Sequence, residues 1–377
     1  MFHDVQQQAG RIGRALARRG RAATARATRT ATIAAASART AGPAGLPALA
    51  RRTAHLVGTR RFGFDEAYTL GLLAPSVDDD AIDAAVSKSE MIAAQARLNP
   101  NEFWYLTEDK AIFYRLAEQL GLRVPTLYAV LCESGPGWSH TGEVLADAGD
   151  WERLLLSDAL PDTFVIKPAR GYYGLGVRVI ERGGGTLHEL GRGDVDAGAL
   201  CRELVSDPQF HVYVVQERLE NHPDMPGGRS ALQTARIATL VDRDGGVRVI
   251  NSFFKTALDG AAIDNFRLGA TGNYSSVLDV RDGTFANVVG AGEGGVLTEV
   301  TPPEGVNAPR VGQKLLMWDE CCALVAAAAP HFLPMRCIGW DVAVTPTGPV
   351  IVEANMWWDP VGSQRSIRDA LEIMRRA

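Results

Sequence analysis

The chain has 377 residues, 46% of them hydrophobic, and its 39 Lys and Arg against 44 Asp and Glu give a formal charge of −5. The longest apolar runs, such as residues 322–330, fall short of the roughly 18–20 residues that a membrane-spanning helix needs, so no transmembrane segment is predicted. The five cysteines form no CxxC pair and have no histidine at metal-ligand spacing, which argues against a zinc site or a disulfide scaffold and predicts a reducing, cytoplasmic compartment.

The first 61 residues are strongly basic. They contain twelve Arg and one acidic residue, for a net charge of +11, so the other 316 residues carry −16. Four arginines from Arg11 to Arg21 follow the 3-4-3 spacing of one helix face. We predict that residues 1–55 form a helical or disordered arm, with a linker at residues 42–47. A solvated helix and a peripheral contact with an anionic membrane are the alternatives for the arm, and the acidic body excludes general nucleic-acid binding.

The body begins with a helix that carries a lysine. In the segment EDKAIFYRLAEQLGLRVP, residues 108–125, apolar residues recur at helical spacing from Ile112 to Leu120. Gly121 and Pro125 then predict the end of the helix. The helix therefore places Lys110 in its first turn.

A series of strands follows, and most neighbours are joined by tight turns. The predicted strands are residues 164–169, 177–181, 211–219, 235–241, 247–254, 338–344 and 350–356. Residues 314–329 predict one buried helix between them. Helices combined with hairpin-forming strands indicate an α+β fold.

A glycine-rich turn follows the strand that contains Lys167. Gly171, Gly174 and Gly176 lie between this strand and the next. Backbone N–H groups of such a loop can close over phosphates while a lysine at the strand end neutralises their charge. A tight β-turn uses the same glycines, so phosphate binding and a purely structural turn are both compatible with this motif alone.

The last predicted hairpin brings two carboxylates together. If the hairpin is symmetric about Thr347, Val344 faces Val350 and Asp341 lies directly opposite Glu353. Two carboxylates at this spacing repel each other and would destabilise the sheet unless a positive charge lies between them.

The hairpin therefore predicts a metal site. Asn355 is two residues beyond Glu353 and lies on the same side of the strand. Together with Asp341 these residues offer the hard oxygen donors that Mg²⁺ prefers. A solvent-facing polar strand is the alternative, and three tryptophans that we expect to crowd the site argue against it: Trp340, Trp357 and Trp358.

Taken together, these motifs resemble the ATP-grasp superfamily in order and spacing over roughly residues 100–360. The motifs are the Lys110 helix, IKPARGYYGLG (166–176), VVQERLENHP (214–223) and the Asp341, Glu353 and Asn355 pattern. A narrower similarity, to the sugar-transfer-associated ATP-grasp family with its α-L-glutamate-ligase-like members, rests on RFGFDEAY (61–68), TARIATL (234–240), AIDNFRLG (262–269) and residues 338–355.

The resemblance implies an ATP-grasp fold in which the nucleotide is held between two domains. They would be a central lid domain at residues 126–217 and a C-terminal antiparallel-sheet domain at residues 218–377. An N-terminal domain at residues 56–125 would precede them.

The resemblance also implies site residues. The implied ATP-binding residues are Lys110, Lys167, Gly171, Gly174, Gly176, Gln216, Glu217 and His222. The implied Mg²⁺ ligands are Asp341, Glu353 and Asn355, the catalytic residues Arg236 and Lys255, and the substrate-side groups Asp264 and Asn265. One departure from the family pattern is that Asp341 stands where many superfamily members have Glu.

The implied chemistry is an ATP- and Mg²⁺-dependent ligation of a carboxylate to an amine through an acyl phosphate, with release of ADP. The substrates would be small molecules, free or linked to a sugar or peptide. An ATP-grasp phosphotransferase that acts on a hydroxyl and a non-catalytic ATP-binding scaffold are the alternatives. The sequence offers no plausible Ser/His/Asp triad or activated cysteine, which agrees with catalysis by positioning and charge neutralisation.

Overall fold

The computed structural model describes residues 2–171, 174–228, 231–258, 260, 264–359 and 367–377, with the backbone alone for residues 2–27 and 268. Residues 172–173 of the predicted glycine loop and 262–263 of the AIDNFRLG motif lie outside the described residues. The chain divides into two compact units, Met1–Glu90 and Met91–Ala377. The domain boundaries expected from the sequence, after residues 55, 125 and 217, stay predictions.

The first unit is helical. Helix α1 spans Phe2–Thr53 and is followed by a π-helical turn at Ala54–Thr59, by α2 (Phe64–Thr69) and by α3 (Asp79–Ala84). Helix α4 (Lys88–Leu98) begins in this unit and ends in the next. The basic arm, predicted to be helical or disordered, is helical, in keeping with its many alanines. Its contact with a membrane stays a prediction.

The linker predicted at residues 42–47 is a break of one residue. Gly42 has φ 62° and ψ 172°, outside the helical region, and helix is present on both sides of it. A positive φ is adopted readily by glycine alone, and Pro43 suits the first position of the helix that follows. The second part of α1 is held to its own unit by Arg52, which donates to the carbonyl oxygens of Ala74 and Val77.

The second unit contains the two sheets. Its remaining helices are α5 (Tyr105–Glu108), α6 (Lys110–Gln119), α7 (Ala148–Leu156), α8 (Ala197–Ser206), α9 (Trp318–Ala328) and α10 (Arg368–Arg376). Short 3₁₀ turns lie at Asn101–Phe103, Arg267–Gly269, Glu293–Gly295 and Ala329–Phe332. No helix within the described ranges has both the length and the apolar character to cross a bilayer.

The first sheet has eight antiparallel strands. They are β1 (Leu127–Cys132), β2 (Gly137–Ser139), β3 (Val144–Leu145), β4 (Thr163–Pro168), β5 (Arg178–Gly183), β6 (Thr186–Glu189), β7 (Gly193–Val195) and β8 (Val212–Glu217). Their order is β3-β2-β1-β8-β4-β5-β6-β7. Helices α7 and α8 cover one face, where Trp151 and Leu200 pack against Phe164 and Ile166.

The second sheet has seven antiparallel strands. They are β9 (Thr234–Val241), β10 (Val247–Thr256), β11 (Tyr274–Val277), β12 (Val289–Ala291), β13 (Leu297–Glu299), β14 (Cys337–Thr345) and β15 (Gly348–Asn355). Their order is β13-β12-β11-β10-β9-β14-β15. Helix α9 packs on one face, and it starts at Trp318 rather than at the predicted residue 314 because Met317 has a left-handed conformation, with φ 54°. The α+β fold class is confirmed.

The predicted register of the β14–β15 hairpin is wrong at the turn and right at the carboxylates. The turn has two residues, so Val344 lies opposite Pro349 instead of Val350. The register then shifts, and Val352 is the additional residue that produces a β-bulge. Because of this bulge, Asp341 lies opposite Glu353 as expected.

Candidate functional site

One face of the second sheet carries a line of charged side chains. Thr234 and Arg236 lie two residues apart on β9, and Lys255 on β10 pairs with Thr234. Asp341 on β14 pairs with Arg236 from the other side. Alternate residues of a strand share a face, so these four side chains lie together, away from the face that α9 covers.

The charges form a buried ion cluster around Asp341. Arg236 donates to both carboxylate oxygens of Asp341, with 2.9 Å from Nη2 to Oδ2. Lys255 Nζ lies 3.0 Å from the same Oδ2 and 3.7 Å from Asp264 Oδ2. Thr234 Oγ1 donates to Asp264 over 2.7 Å. The structure thus brings the predicted catalytic residues together with Asp341 and Asp264.

The pKa values of these groups follow from burial and pairing. Burial alone would raise the pKa of Asp341, but Arg236 and Lys255 hold that pKa well below its usual range. Burial would likewise lower the pKa of Lys255, and Asp264 and Asp341 reverse this and raise it. Burial dominates at Asp264, whose pKa is raised. Pairing therefore outweighs burial at Asp341, whereas burial outweighs pairing at Asp264.

Glu353 lies at the edge of this cluster. Its Oε2 is 3.3 Å from Lys110 Nζ, and its Oε1 is 3.9 Å from Arg236 Nη2. The Glu353 side chain keeps 27% of its surface exposed, whereas that of Asp341 keeps 4%. Glu353 is thus the more accessible of the two carboxylates.

The residues predicted to bind Mg²⁺ pass a test of donor chemistry. A carboxylate has about four lone-pair positions, so the three donations from Arg236 and Lys255 leave one on Asp341. Asn355 donates its amide nitrogen to Gly339 O over 3.4 Å, so its oxygen remains for a cation. With Glu353 these are hard oxygen donors of the kind Mg²⁺ takes alongside water and phosphate oxygens.

The amide oxygen of Asn355 would add a third donor to the two carboxylates. In the described part of the chain, no group of three or more His, Cys, Asp and Glu side chains is arranged to hold a metal ion. Two carboxylates and one amide oxygen therefore fit Mg²⁺ as a partial set of ligands, and the remaining positions would be filled by ligands from outside the protein.

The first sheet, β1–β8, lies in the predicted lid domain and is called the lid sheet below; it contributes a buried lysine. Lys167 on β4 is 7% exposed, and its Nζ donates to Tyr114 Oη over 2.9 Å. Burial, with the neighbouring Lys110 ammonium, lowers the pKa of Lys167 to about 7. The backbone ties Lys110 to the same strand end, because Lys110 N donates to Ala169 O over 2.9 Å. The two predicted phosphate lysines are therefore close to each other.

The glycine turn lies between β4 and β5, as predicted. Gly174 and Gly176 have φ values of 68° and 73°, which favour glycine. A Cβ at Gly176 would also come within 2.9 Å of Pro168 Cγ. Gly171 lies beside the site, because its carbonyl oxygen is 3.4 Å from Lys110 Nζ. Both conformation and space therefore require glycine at Gly176.

Gln216 shares the Lys167 face of the lid sheet. Val165 pairs with Gln216 while Lys167 pairs with Val214, so the two polar side chains lie diagonally on one face. Gln216 is 4% exposed, and its Oε1 has no hydrogen-bond partner in the described residues. A buried acceptor without a donor is costly, which marks this atom as a contact for a ligand.

Glu217, the next residue, has a structural partner. Its Oε2 accepts from Thr126 N over 3.0 Å and from Thr126 Oγ1 over 3.1 Å. The carboxylate thereby holds the start of β1 beside the end of β8. The implied ATP contact of Glu217 stays a prediction.

The side chains of His222 and Asn265 also lie outside the ion cluster. His222 lies beside β14, where its backbone nitrogen donates to Val344 O over 2.8 Å, and its Nδ1 accepts from Asp224 N. The Asn265 side chain accepts from Arg267 N over 3.0 Å within its own turn. Both side chains make local contacts among the described residues, and their proposed roles stay predictions.

The expectation that three tryptophans crowd the site is wrong for Trp340. Its side chain lies on the opposite face of β14, where its Nε1 donates to Thr239 Oγ1 over 2.8 Å and its ring packs edge-to-face on Phe332. The reason is the two-residue period of a strand, which separates Trp340 from its neighbour Asp341. Trp358 does lie on the site face, packed over Gly339.

The sequence reasoning missed three polar residues that support the site. Glu108 accepts from Met356 N over 2.9 Å, and burial raises its pKa. Asn99 donates to Cys337 O over 2.7 Å and accepts from Cys337 N over 2.9 Å, at the start of β14. Tyr114 donates to Val352 O. Only the position of Tyr114, four residues after Lys110 on one helix face, could have indicated its role.

Comparison with known families covers the motifs from Lys110 onward, whereas RFGFDEAY (61–68) lies before the matched range. A family model described as sugar-transfer associated ATP-grasp matches residues 92–372. A search of curated proteins gives no match.

Several solved structures are similar at low identity. D-cycloserine synthetase is 15% identical, with a TM-score of 0.41 over 80% of this chain and 86% of that chain. L-amino acid ligase from Bacillus licheniformis is 11% identical, with a TM-score of 0.34 over 80% and 47%. D-alanine–D-alanine ligase from Helicobacter pylori is 10% identical, with a TM-score of 0.37 over 71% and 61%. Similarity at this level is no argument for a shared activity.

Proposed function

Because the chain belongs to the sugar-transfer-associated ATP-grasp family, we propose that it is an ADP-forming ligase that joins a carboxylate to an amine. The γ-phosphoryl group of ATP would pass to a carboxylate oxygen as its bond to the β-phosphate oxygen breaks, which releases ADP. The amine would then attack the acyl carbon and lose a proton, and phosphate would leave. The carboxylate and amine would be small molecules, free or linked to a sugar or peptide.

The observation that supports this proposal is the arrangement of cations around Glu353, the more exposed of the two paired carboxylates. Arg236 and Lys255 extend from the second sheet and are both fixed by Asp341. Lys110 reaches the same place from α6 and lies 3.3 Å from Glu353. Fixed positive charges suit a reaction whose charge lies on phosphoryl and carboxylate oxygens throughout.

Each cation has a task that follows from its position. Lys167 lies at the end of β4, where the glycine loop begins, and Lys110 Nζ lies 3.4 Å from Gly171 O. Both would bind phosphate oxygens. On the second sheet, Lys255 lies beside Asp264, and Arg236 and Lys255 share the carboxylate of Asp341. These two cations would hold the substrate carboxylate and stabilise its phosphorylated form. Arg236 is anchored bidentately, which keeps its guanidinium planar and oriented.

The charges of the site favour a polyanion bound with metal. Four carboxylates and four cations formally cancel: Glu108, Asp264, Asp341 and Glu353 against Lys110, Lys167, Arg236 and Lys255. ATP alone would add about four negative charges, and Mg²⁺ held by Asp341, Glu353 and Asn355 would neutralise part of them and polarise the transferred phosphoryl group.

Adenine recognition is assigned to Gln216 in this proposal. Its unpartnered Oε1 faces the same side as Lys167 and is an acceptor. The exocyclic amino group of adenine is a donor, whereas guanine has an acceptor at the same position. Gln216 would therefore favour ATP over GTP.

Hydroxylamine trapping tests the proposal. The protein would be incubated with Mg·ATP, hydroxylamine and a panel of amino acids and other carboxylates, and both ADP and hydroxamate would be measured. A ligase yields hydroxamate with ADP from at least one carboxylate, because hydroxylamine intercepts the acyl phosphate.

A phosphotransferase would yield ADP and a stable phosphate ester when hydroxyl compounds are supplied, and no hydroxamate with any carboxylate. That result would replace the ligase proposal. Calorimetry with Mg·ATP, EDTA and the Glu353→Ala variant accompanies the assay. Failure of well-folded wild-type protein to bind Mg·ATP would remove both enzymatic assignments.

A further inference from the structure

A single hydroxyl group joins the two sheets beside the proposed phosphate site. Tyr114 Oη donates to Val352 O over 2.6 Å and accepts from Lys167 Nζ over 2.9 Å. Val352 belongs to β15 of the second sheet, and Lys167 belongs to β4 of the lid sheet. The chain of contacts therefore runs from one sheet to the other through one side chain of α6.

The two hydrogen bonds of the Tyr114 hydroxyl each have a defined direction. Burial and the nearby Glu353 raise the pKa of Tyr114 well above its ordinary value, so the hydroxyl keeps its proton. That one proton is donated to Val352 O, which leaves oxygen lone pairs to accept from the ammonium group of Lys167. The direction of both hydrogen bonds is thus fixed.

Val352 O is available for this bond because Val352 is the bulged residue of β15, which is an edge strand of its sheet. Val352 is the additional residue of β15, and the ladder with β14 pairs Ile351 and Glu353 but leaves Val352 without a partner. A bulge interrupts the ladder and frees a backbone group for another contact. The same irregularity that brings Glu353 opposite Asp341 therefore gives Tyr114 its anchor.

The position of the Lys167 ammonium group depends on Tyr114. The lysine is 7% exposed, and in the described residues Tyr114 Oη is the one hydrogen-bond acceptor within reach of its ammonium group. The same ammonium lies 5.4 Å from the centre of the Tyr114 ring. A lysine side chain otherwise has several rotatable bonds and many positions, so this contact decides where Nζ lies.

We propose that Tyr114 is a positioning residue that holds the Lys167 ammonium ready for the phosphates of the nucleotide, with Val352 O as its fixed anchor. This inference rests on the proposed function, because it assumes that the site binds ATP. Without the hydroxyl, Lys167 would lose its orientation and the nucleotide would have to order it on binding. The loss would be confined to ligands that carry phosphates.

The test compares two tyrosine variants. Tyr114→Phe keeps the buried ring and removes the hydroxyl. Tyr213→Phe is the matched control, because Tyr213 is a buried tyrosine of the same lid sheet whose hydroxyl donates to Phe210 O on the opposite, helix-covered face. Affinities for a non-hydrolysable ATP analogue with Mg²⁺ and for adenosine would be measured by calorimetry on the full chain.

We expect Tyr114→Phe to weaken the ATP analogue about tenfold, the size of a lost hydrogen bond to a charged group. Its affinity for adenosine and the affinities of Tyr213→Phe should stay within twofold of wild type. In the Lys167→Met background, the further change Tyr114→Phe should have no effect on the analogue, since the hydroxyl acts through the lysine.

Two results would overturn the inference. One is equal weakening of the analogue and adenosine by Tyr114→Phe, which would indicate a general structural role. The other is a full additional loss in the Lys167→Met background, which would show that the hydroxyl acts independently of Lys167. Wild-type protein that binds no ATP analogue would instead contradict the proposed function itself, so the two failures are distinguishable.

Discussion

Gly339 and Trp358 touch so closely that no other residue fits at position 339. A Cβ at Gly339 would lie 2.5 Å from Trp358 Cβ, 2.8 Å from Trp358 Cγ and 3.1 Å from Arg236 Cδ. Gly339 has an ordinary strand conformation, so the requirement for glycine is one of space. This missing side chain allows Trp358 to pack over β14 and Arg236 to lie across it towards Asp341.

Gly339→Ala should therefore displace both neighbours. We expect a loss of about 2 kcal/mol in the free energy of unfolding, the size of an overpacked core site, and weaker binding of Mg·ATP because Arg236 moves. Urea denaturation and calorimetry would measure the two effects. Gly183→Ala is the control, since a Cβ at Gly183 meets nothing within 4 Å and its φ is not positive; an unchanged Gly339→Ala protein would contradict the crowding.

The affinity for Mg·ATP should fall as the pH rises above about 7. Burial and the Lys110 charge lower the pKa of Lys167 to about 7 in the free protein, and phosphate oxygens would raise that pKa in the complex. Binding then takes up a proton at pH 8. Calorimetry in buffers with different ionisation enthalpies measures that proton, and Lys167→Met should abolish it; a buffer-independent enthalpy in the wild type would count against the prediction.

The same shift gives stability a predictable slope. The pKa of Lys167 is lower in the folded than in the unfolded chain, so the unfolded chain binds more protons between about pH 7 and the ordinary lysine value of about 10.4. The contribution of Lys167 to the free energy of unfolding therefore rises with pH across this window. Comparing the pH profiles of wild type and Lys167→Met isolates this contribution; a parallel pair of profiles would rule it out.

Removal of both members of the Arg236–Asp341 pair should cost less than the sum of the two single removals. Asp341→Asn leaves Arg236 and Lys255 buried without their shared partner, and breaking a buried pair of this kind costs about 3–5 kcal/mol. Arg236→Met together with Asp341→Asn removes opposite charges and should unfold less easily than the sum of the single changes predicts. Denaturant unfolding of the three variants measures this coupling, and strictly additive losses would contradict it.

Gln216→Leu should reduce the preference for ATP over GTP. The variant keeps a side chain of similar size and removes the unpartnered acceptor proposed to receive the adenine amino group. Loss of a buried hydrogen bond is worth about tenfold in affinity. Competition with a fluorescent ATP analogue measures both nucleotides. Gln209→Leu, at an exposed loop position, is the control, and an unchanged ratio in Gln216→Leu would remove the assignment.

Asn99 should be among the most sensitive polar residues of the second unit. Its side chain is buried and contacts the backbone of Cys337 through both N and O, and that of Met356 through a third bond of 3.2 Å. Asn99→Leu strands these backbone groups, and we expect a loss of about 3 kcal/mol, since each unsatisfied buried group costs about 1–3 kcal/mol. Thermal and urea unfolding would measure it. Asn99→Asp should retain part of the stability, because it keeps the acceptor; equal losses would point to packing instead.

The sequence predicted seven of the fifteen strands in the described residues, those with strong local signals, and missed the eight others, which are mostly short. Alternating apolar residues, glycine turns and prolines place the hairpins of residues 234–256 and 337–355 nearly at their observed bounds. It also predicted that Asp341 and Glu353 meet. Arg236 supplies positive charge between them, because it donates to Asp341 and lies 3.9 Å from Glu353.

Other features depend on contacts that no local pattern reports. Trp340 was placed at the site by its nearness in sequence to Asp341, although neighbouring strand residues face opposite sides. Tyr114, Asn99 and Glu108 act through backbone atoms more than 230 positions away in the chain. Such partners become visible once the fold brings the segments together.

The extra residue at Val352 changes the side-chain phase of β15 in the middle of the β14–β15 hairpin. Ile351 pairs with Val342 and Glu353 pairs with Asp341, so these two residues of β15 face opposite sides although they are two positions apart. The turn at residues 346–347 is held separately, because Arg123 donates to Thr347 O over 2.8 Å and to Thr347 Oγ1 over 3.1 Å. Deletion of Val352 alone would rotate every later side chain of the strand to the other face. The hairpin is thus anchored at its tip by Arg123 and set in phase at its centre by Val352.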